Sequence, residues 1–60
     1  MIGHIYFMPG TNMKYDIMDK WWDDDMGVRV YEVEFINPDI KYHGKGIITG
    51  YTFDKLKLIA

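Results

Sequence analysis

Nine consecutive residues, Val28 to Ile36 (VRVYEVEFI), limit the folds open to this chain more than any other segment. The run is dense in β-branched and aromatic residues, and with a period of two it separates into two sides. One carries Arg29, Tyr31, Val33 and Phe35; the other carries Val28, Val30, Glu32, Glu34 and Ile36. Successive side chains of a strand point to opposite faces, so the run predicts a long β-strand, which must find neighbours. Its second side turns from apolar to acidic partway along, as in a strand that bends and leaves the core on one side.

Further strands follow from similar signals. Ile2 to Met8 predicts a strand that stops at the Pro9-Gly10 turn. Asn37-Pro38-Asp39 is a turn after the long strand, because proline pre-sets the backbone angle that the turn needs. His43-Gly44-Lys45-Gly46 reads as a flexible joint or hairpin turn, followed by a short strand over Ile47 to Thr49. Gly50 marks a bulge, a bend or a close backbone contact. After a corner at Thr52-Phe53-Asp54, Lys55 to Ile59 predicts a last strand with Lys55 and Lys57 outward and Leu56 and Leu58 inward.

Met13 to Met26 fits two patterns. As a strand, Tyr15, Ile17 and Trp21 share one face, and Lys14, Asp16 and Lys20 the other. As a helix, Asp16 could cap it, and Ile17 with Trp21 and Met18 with Trp22 would pair one turn apart. Three aspartates at the C-terminal end would then oppose the helix dipole. The strand is preferred, running to about Trp22 and followed by a loop into Val28.

Five short strands joined by tight turns predict an all-β fold, a small five-stranded antiparallel barrel, whose closure protects its edges. The rhythm of the second half, a long strand, a glycine-containing turn, a short strand, a corner and a last strand, is similar to SH3-like folds. The alternative is an α+β arrangement, a three-stranded antiparallel sheet with one short helix within residues 16–26.

Sixty residues make one small domain, residues 1–60. A chain this short buries only about 60% of its unfolded surface, and disulfides cannot reinforce it because cysteine is absent. Ten aromatic rings are the alternative reinforcement. The lack of both serine and cysteine removes the usual nucleophile arrangements and thiolate zinc sites. No apolar run approaches the length of a membrane span, and no basic segment leads into a long apolar core at the start. Beginning at Met1 and ending after its last expected strand, the chain reads as a complete cytoplasmic product.

Charge is uneven. Residues 1–27 hold Asp16, Asp19, Asp23, Asp24 and Asp25 against Lys14 and Lys20, whereas residues 28–60 are slightly basic. Trp21-Trp22-Asp23-Asp24-Asp25 is therefore the segment that most needs an explanation. Adjacent tryptophans of a strand point to opposite faces, so with Trp21 inside, Trp22 is outside. An exposed tryptophan beside carboxylates suits a protein interface. Glu32 and Glu34 extend that acidic surface across a hairpin. Metal binding fits poorly: counted from Asp23, Gly27 falls at position 5 rather than 6 of a calcium loop. His4 is expected to be partly buried beside Ile2 and Tyr6, and His43 exposed in its turn; neither has a partner at catalytic spacing.

These features predict a non-enzymatic protein-binding module that regulates or inhibits a larger protein. Its expected contact residues are Trp22, Asp23, Asp24, Asp25, Glu32 and Glu34, with no catalytic residue, metal or cofactor. Bacteriophages and mobile elements often encode regulators of this size. The alternative is a nucleic-acid-binding small barrel using Tyr42, Lys45, Tyr51, Lys55 and Lys57, in which rings stack on bases and lysines hold phosphates. A net charge of −2 weakens that case. A homodimer formed through the exposed tryptophan is the third reading.

Overall fold

Four strands follow one another before the chain turns back on the first. In a computed structural model that describes residues 4–39 and 41–59, β1 is Ile5–Phe7, β2 Lys14–Asp23, β3 Val28–Asn37 and β4 Tyr42–Thr49. A single helical turn, α1 (Gly50–Phe53), leads to β5, Lys57–Leu58. Every pairing is antiparallel and the order across the sheet is β4-β3-β2-β1-β5. The fold is therefore all-β with five antiparallel strands, as the alternating pattern predicts. The expected barrel does not close: the sheet is open, because its edges β4 and β5 do not pair with each other among the described residues. Residues 14–23 form a strand, so the α+β alternative with a helix in 16–26 does not hold. Of the strand expected over 2–8, Ile2 and Gly3 lie outside the described residues, and β1 covers Ile5–Phe7.

The two sides of β3 divide as its sequence dictates. Tyr31 and Val33 are almost fully buried on the inner face, where they join Tyr6, Tyr15, Ile17, Ile48 and Leu56 in the core. Five Tyr and Phe rings knit this core together. Phe53 of α1 stacks on Tyr31 at 4.2 Å between centroids and meets the edge of Tyr6 at 4.9 Å, while Phe35 meets Tyr15 at 5.4 Å. Each such pair contributes about 0.5–1.5 kcal/mol beyond its buried area. The predicted corner at Thr52-Phe53-Asp54 is thus the device that folds a ring back over the sheet. Gly50 begins α1 against Arg29, and an added Cβ there would lie 3.4 Å from that arginine's own Cβ.

Several expectations are corrected. His43-Gly44-Lys45-Gly46 is neither joint nor turn: it lies within β4, paired with β3 from Glu34↔Lys45 to Ile36↔His43. Gly46 makes room for an aromatic ring, since a Cβ there would overlap Phe35. His4 is exposed just before β1, not partly buried. β5 is shorter than Lys55–Ile59; Leu56 is buried, but Leu58 is 51% exposed on a strand that is the edge of the sheet among the described residues.

The largest correction concerns the tryptophans. β2 carries a bulge between Ile17 and Asp19, so that Ile17 opposes Val33 while Asp19 opposes Glu32. Met18 is the extra residue, and every position after it changes face. Lys20 and Trp22 therefore lie on the inner side, opposite Tyr31 and Arg29, and Trp21 lies on the outer side opposite Val30. Trp21 is not inside with Tyr15 and Ile17.

Candidate functional site

The β2–β3 hairpin extends beyond the core, and its end is built around Asp23. The Asp23 carboxylate accepts hydrogen bonds from the backbone N–H groups of Asp25 (2.9 Å) and Met26 (3.0 Å). Its carbonyl accepts a third from Gly27 (2.8 Å), which has the positive φ of 66° that closes the turn. Asp23 is thus committed to the loop, and Asp24 and Asp25 project into solvent.

On the inner side of this end, Trp22, Arg29 and Tyr51 surround an open cleft of about 220 Å³ that Gly50 and Asp54 complete. Trp22 is 59% exposed and Tyr51, from α1, 72%. Arg29 is fixed between them. One guanidinium nitrogen donates to the Tyr31 hydroxyl at 3.0 Å, and the other pairs with Asp54 at 3.4 Å. Its carbon lies 5.9 Å from the centre of the Tyr31 ring. The side chains of Arg29 and Asp54 are both more than half exposed, so the pair positions more than it stabilises. A second hollow of about 190 Å³ lies between Lys20, Trp21, Trp22 and Arg29, so the two tryptophans share a continuous surface.

The structure separates the six residues expected to bind protein. Trp22 lines the inner cleft, Asp24 and Asp25 lie at the hairpin tip, and Asp23 holds the turn. Glu32 and Glu34 are on the outer face. There Glu32 stands between Asp19 and Ile47, and Glu34 between Asp16 and Lys45, with His43 Nδ1 3.6 Å from the Glu34 carboxylate. Two acid–acid pairs thus sit directly across strands, an arrangement that costs stability. The alternative nucleic-acid set is also divided. Lys45 is on edge strand β4 and Lys57 on the opposite edge, four strand spacings or roughly 19 Å apart along the sheet. Tyr51 is beside Trp22, Lys55 is exposed after α1, and the Tyr42 side chain lies outside the described ones.

Arg29 and Asp54 are the cleft residues that sequence reasoning missed. The signal for Arg29 was its place on the same side as Tyr31, a cation where an apolar residue would continue the core. Asp54 had no comparable signal, because only the helical turn brings it back to β3. Among the described residues no group of three or more His, Asp or Glu side chains gathers as a metal site would, and no helix is long and apolar enough to cross a membrane. No known protein family, curated protein or solved structure matches this chain.

Proposed function

We propose that this chain is a small, non-enzymatic cytoplasmic module that binds a larger protein and regulates or inhibits it, using the aromatic and acidic end of its sheet. The observation that carries the proposal is the exposure of Trp22 and Tyr51 on one cleft, with Trp21 adjoining. Large rings left in water on a 60-residue fold give up burial that the core would otherwise gain. Tryptophan, tyrosine and arginine are also the residues that dominate binding hot spots, and all three meet here. Asp24 and Asp25 form a charged rim that steers a basic partner.

The architecture proposed with this function is SH3-like. It is supported by the meander of β1 to β4, the helical turn after β4 and a short last strand returning to β1.

A pull-down with the intact protein, nuclease-treated in one arm, followed by titration against the purified partner, tests the binding reading. Trp22→Ala combined with Asp24→Lys should lower affinity at least about tenfold, the loss typical of a hot spot. Undiminished affinity of that double variant for every physical partner would sink the proposal. Loss of all partners on nuclease treatment would transfer the reading to the lysines and nucleic acid.

A further inference from the structure

Sheets recruit strands along open edges, and proteins blunt such edges with short strands, lysines, prolines or bulges. The two edges of this sheet differ sharply in that respect. β5 is two residues long, contains Lys57 and follows Lys55. β4 is eight residues long and keeps an unbroken register with β3, from Asn37↔Tyr42 to Val30↔Thr49. It has no proline and no bulge, and Lys45 is its single lysine. Its far side meets no strand among the described residues.

We infer that β4 is a self-association edge, where two copies of this chain pair antiparallel about a two-fold axis through Gly46. The inference rests on the β4 edge and the outer-face side chains Lys45 and Ile47, not on the aromatic cleft, which opens on the inner side beside α1. The occupant follows from the charge pattern of the outer face. One cross-strand row runs Asp16, Glu34, Lys45, and the next runs Asp19, Glu32, Ile47. The first row ends at the edge on a cation. The second ends on an isoleucine that is 54% exposed, behind two carboxylates with no cation in the row.

A two-fold axis normal to the sheet keeps outer faces together, so with Gly46 on the axis Lys45 faces Ile47 of the second copy. The combined row reads Asp19, Glu32 and Ile47, then Lys45, Glu34 and Asp16 of the second copy. The lysine stem covers the isoleucine, and its ammonium reaches toward Glu32. The same happens twice, by symmetry. Other registers lack this fit. An axis through Lys45 opposes two lysines, and one through Ile47 leaves both Asp19–Glu32 rows uncompensated. With Gly46 on the axis, residues 43–49 of each copy overlap.

Sedimentation equilibrium of the intact protein up to about 1 mM reads the association directly. The expected result is a monomer–dimer equilibrium that Ile47→Lys weakens at least tenfold while leaving the circular dichroism spectrum unchanged. Because the chain has no cysteine, register can be trapped as well. Lys45→Cys mixed with Ile47→Cys should give a mixed disulfide dimer under mild oxidation in preference to either homodimer, since directly opposed strand residues lie within disulfide reach. A monomer throughout the concentration range, or a dimer indifferent to Ile47→Lys, would overturn the inference. In the first case the edge is left to an extended segment of another protein.

Discussion

Three adjacent aspartates that look alike in sequence are not equivalent in the fold. Asp23 accepts two backbone hydrogen bonds and turns the chain, while Asp24 and Asp25 make none of the turn's contacts through their side chains. Asp23→Ala is expected to lower stability by about 1–2 kcal/mol, the cost of leaving loop donors without their acceptor. Asp24→Ala and Asp25→Ala should each stay within about 0.5 kcal/mol of the parent. Urea unfolding followed by tryptophan fluorescence distinguishes the three, and equal effects would contradict the assigned division of labour. A glycine shows the same dependence on surroundings. Gly46 looks like a turn residue, yet the Phe35 ring occupies the space its side chain would need. Sequence reasoning placed a joint there because glycine marks flexibility and ring packing alike.

At the scale of the element, the bulge in β2 decides what the hairpin presents. A run with unbroken alternation would place Trp21 with Tyr15 and Ile17; one extra residue instead sends Trp22 to the inner side with Arg29. Met18 is half-exposed and opposes no residue of β3. A chain lacking Met18 is therefore expected to fold with the pairs Ile17↔Val33 and Asp19↔Glu32 intact. Its stability should fall within about 1 kcal/mol of the parent, and Trp22 should retain its contacts in the cleft. Backbone amide assignments with cross-strand distance measurements would check this. Pairing of Lys20 with Val30 rather than Tyr31 would show that the bulge sets the register in another way. The bulge was illegible because one extra residue leaves no mark in a pattern of polar and apolar letters when both resulting faces carry a tryptophan.

For the molecule as a whole, the net charge of −2 conceals an uneven surface. The outer face opposes Asp16 to Glu34 and Asp19 to Glu32, whereas Lys20 and Arg29 stand on the inner side of the hairpin. Raising ionic strength screens exposed like charges, so stability should increase modestly with salt at neutral pH. Glu32→Lys should stabilise the protein by up to about 1 kcal/mol at low salt, and that gain should shrink at high salt. Chemical denaturation with urea, which adds no ionic strength of its own, measures both. A loss of stability in Glu32→Lys would mean that the carboxylate rows are compensated in a way the monomer does not account for.

The sequence by itself determined the class of fold and the faces of its principal strand. Period-two alternation over Val28–Ile36 dictates which side chains share a side, and local chemistry at Pro9-Gly10 and Asn37-Pro38-Asp39 dictates where the chain must turn. That the two adjacent tryptophans cannot both enter one small core could also be read from it, but not which one stands outside: Trp22 lies on the inner side, Trp21 on the outer, and both are exposed. Tertiary structure alone decided the rest: which face Trp22 occupies, that α1 lays Phe53 on Tyr31, and that Asp54 at the end of α1 meets Arg29. Those outcomes depend on register and on contacts between residues distant in the chain, such as Arg29 and Asp54, 25 positions apart. Strand pairing and ring packing fix such contacts together, and no local pattern of residues records them.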